Sequence, residues 1–127
     1  VYNFGNMMRD FTYVDDIVEG ISRIISKPAQ PNKKWTGQNP DPGSSKAPYK
    51  IFNIGNNSPV KLLDFIEAIE EALGKKAIKN LLPLQSGDVP ASHADVTDLI
   101  EKIGYKPNTS IKEGVNKFIK WYLEFYN

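Results

Sequence analysis

Apolar residues recur along this chain mostly at helical spacing. Val14, Ile17, Val18, Ile21, Ile24 and Ile25 fall on one stripe, which predicts an amphipathic helix. Thr12, three residues before Asp15, is a plausible start signal, and Pro28 ends the run. A second stripe holds Leu62, Phe65, Ile66, Ile69 and Leu73, predicting a helix over about residues 60–73 with Gly74 just past its end. A third has Asp95 as cap, Val96, Leu99, Ile100 and Ile103 as its apolar face, and Gly104 as its stop. Ser110-Ile111-Lys112-Glu113 has the form of a capping box. It opens a fourth helix with Ile111, Val115, Phe118, Ile119, Tyr122 and Tyr126 in register.

The β-prone runs are few and short. Residues 1–5 (Val-Tyr-Asn-Phe-Gly) and 11–14 suggest two brief strands, and residues 51–55 (Ile-Phe-Asn-Ile-Gly) suggest a third. The last is apolar enough to be covered on both faces, as in a parallel sheet. These runs cannot make a sheet of their own, so the rest of it is expected outside this sequence. The start at Val1, inside an apolar run, points the same way. Residues 28–48 are rich in Pro, Gly, Ser, Asn and Lys, with Trp35 as the one large apolar residue. A loop this long is commonly a lid, a binding loop or a disordered segment. It is expected to be flexible and to act as part of a lid.

Composition narrows the classes. The 127 residues fit one modest domain. With 16 Lys+Arg against 15 Asp+Glu the net charge is +1, without the basic excess that phosphate neutralisation gives nucleic-acid binders. No cysteine is present, which excludes disulfides and thiolate chemistry and makes a cytoplasmic location the default. No apolar run reaches the ~20 residues of a membrane helix.

No glycine-rich dinucleotide turn, phosphate loop or Tyr-x-x-x-Lys pair occurs, so no catalytic residue and no cofactor site are assigned. His93 is the only histidine, which rules out a His-based metal cluster; it reads as a polar loop residue. The aromatics Trp121, Tyr122, Phe125 and Tyr126 could form a sugar-stacking platform, but their shared helix favours core packing. Two polar spots remain. Arg9, between a short apolar run and a helix start, suits a phosphate held by a planar fork of donors; the alternative is an ion pair with Asp10 or Asp15. In Gln85-Ser86-Gly87-Asp88, Gly87 permits close backbone approach and Asp88 could accept sugar hydroxyls; the alternative is a plain turn.

Together these residues resemble a known family. Val-Tyr-Asn-Phe-Gly, then Arg9-Asp10-Phe11-Thr12-Tyr13-Val14-Asp15-Asp16-Ile17, then Ala47-Pro48-Tyr49-Lys50-Ile51-Phe52-Asn53-Ile54-Gly55-Asn56, Gln85-Ser86-Gly87-Asp88-Val89 and the closing run from Gly114 to Tyr122 are similar to extended short-chain dehydrogenase/reductases. The combination resembles UDP-glucuronate 4-epimerases and the related capsule-type nucleotide-sugar epimerases. The resemblance implies an α/β enzyme, with this chain as a mixed α+β C-terminal substrate-binding domain of four helices and two or three short strands, lacking a complete Rossmann sheet. It implies NAD held by a preceding domain that also carries the catalytic pair. It further implies epimerisation of UDP-glucuronate to UDP-galacturonate through a 4-keto intermediate, by a homodimer. Arg9 would contact the UDP diphosphate and Asp88 the uridine ribose. Gln85 would stand where many galactose-type relatives have a second phosphate-binding arginine. Ser86 departs from the proline common in that branch. The chain alone would be inactive and prone to self-association. A UDP-glucuronate decarboxylase, a sugar-nucleotide dehydratase and a non-catalytic binding module are the alternatives.

Overall fold

A computed structural model describes residues 1–126. It is an α+β arrangement of four helices and a two-stranded sheet: β1 (Met8–Arg9), α1 (Val14–Ile25), β2 (Val60–Lys61), α2 (Leu62–Leu73), α3 (Thr97–Ile103) and α4 (Ile111–Tyr126). The four helices fall where apolar spacing placed them. Gly74 and Gly104 close α2 and α3 in the left-handed region, at φ 63° and 73°, where a residue without Cβ is unstrained. Ser110 Oγ accepts the Glu113 N–H at 3.2 Å, half of the expected capping box. Thr12 does not cap α1: its Oγ1 accepts the Asn56 N–H at 3.1 Å instead. Asp95 accepts the Thr97 N–H at 2.9 Å, one residue earlier than a regular cap.

The strand expectations need correction. Residues 2–5 form a single 3₁₀ turn, with Asn3 and Phe4 at positive φ. Their hydrogen bonds go across to residue 82: Phe4 N–H donates to the Leu82 carbonyl and Leu82 N–H to that of Val1. Residues 11–14 and 51–55 are in no strand either. Residues 51–55 are extended in sequence character but have no neighbouring strand among the described residues, and strand structure exists only where a ladder partner lies alongside. The true strands, β1 and β2, pair antiparallel with Met8 opposite Lys61 and Arg9 opposite Val60. On its other side Met8 bridges Ala91 in parallel, through Met8 N–H to the Pro90 carbonyl and Ser92 N–H to the Met8 carbonyl.

Burial divides into two clusters. Val96, Leu99 and Ile103 of the α3 region form one, flanked by Ile24, Phe52, Ile54, Ala94 and Tyr105. The other lies where α2 packs on α4 and buries Val115 and Ile119. Beside it Phe11 stacks on Phe65 at 4.1 Å and 9°. Helix α1 buries Asp16 and Gly20 and lays Ile24 against the first cluster, while Val14, Val18, Ile21 and Ile25 are exposed. Asp16 is satisfied by the Thr109 N–H at 3.0 Å and the Tyr105 hydroxyl. Burial, then the Asp16 carboxylate, pushes the Tyr105 phenol above its usual pKa. The α4 aromatics expected in the core are exposed, Trp121 at 51% and Phe125 at 65%. They stack along the helix on one another because nothing among the described residues covers them.

The loop of residues 28–48 is folded on itself. The Trp35 indole donates to the Asp41 carbonyl at 3.1 Å, and Asp41 accepts from the Ser44 hydroxyl and the Gly43 N–H. Those two bonds, Ser44 first, lower the Asp41 pKa. Trp35 belongs to neither buried cluster. No described helix is long and apolar enough to cross a membrane.

Candidate functional site

The two polar spots of the sequence meet. Because Met8 pairs in parallel with Ala91, the segment ahead of Pro90 runs alongside the β1 entry, within reach of the Arg9 side chain. Arg9 Nη2 lies 2.9 Å from Asp88 Oδ1 across 79 residues of sequence. The partner is therefore neither Asp10 nor Asp15. The side chains are 25% and 34% exposed, half-buried with open edges toward solvent. Arg9 Nη1 also donates to the Met8 carbonyl at 2.8 Å. The Gln85–Asp88 segment is a tight turn closed by Asp88 N–H to the Gln85 carbonyl at 3.1 Å. Gly87 sits in it at φ +85° with open space around its Cβ position. Backbone conformation, not crowding, makes glycine the fitting residue there. The Gln85 side chain is exposed. The site thus brings a guanidinium against a carboxylate, with the exposed Gln85 at the head of the same turn as the carboxylate.

Asp10 does not pair with Arg9; it fastens three segments. Its Oδ2 accepts the Asn57 N–H at 2.9 Å and the Ala94 N–H at 3.0 Å, and its Oδ1 accepts the Ser58 N–H at 3.2 Å. The one signal in the sequence is an acidic residue directly before a β-prone run, which is weak. Asp10 also lines a cleft of about 360 Å³ with Thr12, Asn53, His93 and Asp95. The Thr97 bonds hold the Asp95 carboxyl below its usual pKa. Gly55 closes this cleft: a Cβ there would stand 2.5 Å from the Ala94 Cβ and 3.2 Å from Asp10 Oδ2. A second, larger cleft of about 650 Å³ lies between the loop and α3, lined by Lys27, Tyr49, Lys50, Phe52 and Lys102 among others. No group of three or more metal-ligating side chains occurs among the described residues.

No family model matches the chain. Protein CapI of Staphylococcus aureus is 67% identical over 126 residues, covering 99% of this chain and 38% of that protein. UDP-glucuronate 4-epimerase 4 of Arabidopsis thaliana is 39% identical over 128 residues, covering 98% of the chain and 28% of that protein. Among solved structures, UDP-glucuronic acid 4-epimerase from Bacillus cereus in complex with UDP-glucuronic acid and NAD superposes with a TM-score of 0.75 at 25% identity. It covers 99% of this chain and 35% of that one. The chain spans about a third of the length of these relatives. Over nearly its whole length the chain is similar to a segment of about that size in CapI and in UDP-glucuronate 4-epimerases.

Proposed function

We propose that this chain is the UDP-sugar-binding part of an NAD-dependent UDP-sugar 4-epimerase acting on UDP-glucuronate. The observation that carries the reading is the Arg9–Asp88 pair. Diphosphate recognition calls for charge-assisted donors, and ribose recognition for a carboxylate acceptor. One of each stands here, with exposed Gln85 beside them at the turn. The relatives support the substrate class: one solved neighbour holds UDP-glucuronic acid and NAD.

In this reading Arg9 binds the diphosphate, Asp88 the ribose hydroxyls, and Gln85 a phosphate oxygen through its uncharged amide. NAD would supply reversible hydride removal from the sugar. The chain has no glycine-rich strand-to-helix turn, so its residues do not fit a dinucleotide. That role, with the catalytic pair, falls to the portion of the relatives this chain does not span. The chain alone is accordingly expected to be inactive.

The test is calorimetric titration of UDP into the protein at full natural length. Arg9→Ala should lose roughly 2–4 kcal/mol of binding, the scale of removing one partner of a desolvated charge pair. That is about 30- to 900-fold. Arg9→Lys should restore only part, since a point charge cannot reproduce a planar fork. NAD affinity should not move. A folded Arg9→Ala variant that binds UDP like wild type would make Arg9 a structural ion-pair residue only.

A further inference from the structure

The Arg9 guanidinium has five N–H donors, and its bonds to the Met8 carbonyl and Asp88 Oδ1 use two of them. Its plane is therefore fixed from two directions, by backbone on one side and by a carboxylate from a distant loop on the other. Asp88 divides its own oxygens. Oδ1 accepts both Arg9 Nη2 and the Val89 N–H, the latter at 2.8 Å, while Oδ2 accepts none of the protein hydrogen bonds described. Gly87 lets the turn present the carboxylate at this angle.

We propose that Asp88 is a positioning residue for Arg9, holding the guanidinium so that its remaining N–H edge faces a diphosphate, while Oδ2 stays available for a hydroxyl of the same ligand. The inference rests on the reading that Arg9 binds diphosphate, and it gives Asp88 a second task. Coulomb's law alone assigns Asp88 the opposite effect: a negative charge beside an anion site weakens anion binding. Geometry and charge thus predict opposite signs for one substitution. An arginine freed of its tether must first lose rotamer freedom to bind; a tethered one has already done so.

The probe is inorganic pyrophosphate, titrated into the full-length protein as wild type, Arg9→Ala, Asp88→Ala, Asp88→Ser, Asp88→Asn and Arg9→Ala/Asp88→Ala. Thermal melts confirm folding, and the serine variant, too short to reach Nη2, stands in if the alanine variant fails to fold. Removing the acid with alanine or serine should weaken pyrophosphate about tenfold, equivalent to ~1.4 kcal/mol. Asp88→Asn keeps an acceptor oxygen for Nη2 and drops the charge, so it should bind pyrophosphate at least as tightly as wild type. In the Arg9→Ala background, Asp88→Ala should add no further loss. Unchanged or tighter binding by Asp88→Ala and Asp88→Ser, with Arg9→Ala still defective, would overturn the positioning role alone. So would an Asp88→Asn loss equal to that of alanine, or a further loss from Asp88→Ala when Arg9 is already gone. Normal pyrophosphate binding by Arg9→Ala would instead overturn the underlying assignment of Arg9.

Discussion

Single residues carry two further consequences. Glu70 on α2 is buried to 5% exposure, and its carboxylate is ringed by donors: the Lys76 ammonium at 2.8 Å, the Lys79 ammonium, and the Ala77 N–H at 3.0 Å. These, Lys76 first, take its pKa from 4.5 down to about 2. A lowered carboxylate pKa stabilises the fold above the unfolded-state value and is lost as pH falls through the folded one. Glu70 should therefore support the fold at neutral pH and cease to do so between about 4.5 and 2. Glu70→Gln should melt below wild type at neutral pH, with the gap closing as pH approaches 2. A gap constant with pH would mean that packing rather than charge sets the effect. The second consequence is at Gly55, where any Cβ meets Ala94. Gly55→Ala should destabilise by about 1–3 kcal/mol, the usual scale of overpacking, as read from denaturant midpoints. Because the displaced neighbours carry the Asp10 bonds, UDP affinity should fall with it; unchanged stability would show that the 93–94 segment yields freely.

Elements differ in how far they depend on their neighbours. Leu99 of α3 is fully buried amid side chains from α1 and the 52–54 and 94–105 segments. Leu99→Ala should cost about 2–5 kcal/mol, measured by urea unfolding with an unchanged slope; a loss under 1 kcal/mol would deny α3 its central place. The loop of residues 28–48 is the counterpart, held by short-range polar bonds such as Trp35 to Asp41. Its amides should exchange far faster than those of α2, as befits a segment without core contacts. Exchange protection comparable to α2 would remove the flexibility we assign it. None of its hydrogen bonds reaches Arg9, Gln85 or Asp88, so a lid role would require motion. Helices were legible in the sequence because their cues are local: a 3.6-residue stripe, a Ser110 cap, a Gly74 stop. Strands were not, because β1 finds its partners at residues 60–61 and 91, and no local pattern names them. The same holds at the site. Arg9 and Asp88 were each visible as polar spots, but their union follows from the Met8–Ala91 bridge, so sequence neighbours Asp10 and Asp15 stood in as partners. Nor did the α1 stripe reveal which side would face inward, since that depends on Tyr105 and Thr109 receiving Asp16.

The molecule as a whole exposes more than its mass warrants. A folded monomer of 14.3 kDa has roughly 6,800 Å² of surface by the usual scaling, whereas this chain presents 9054 Å². The excess, about 2,200 Å², is the size of one side of a large permanent interface, and it includes the apolar outer stripe of α1 and the α4 aromatics. Produced alone, the chain should self-associate, and sedimentation velocity should show species beyond the monomer as concentration rises. A strictly monomeric chain at high concentration would refute this. The stacked α4 ladder also has an optical side. The chain has two tryptophans; Trp121 lies 5.5 Å from Phe125 on the open face of α4, and Trp35 lies in the loop. Emission from the isolated chain should be that of water-exposed indole, readily quenched by iodide. Whatever covers α4 will shift Trp121 to shorter wavelength and shield it, while Trp35 changes only if the cover also reaches the loop. Replacing Trp35 with phenylalanine would leave a single fluorophore on α4, so that assembly of the complete protein could be followed in real time by its colour alone.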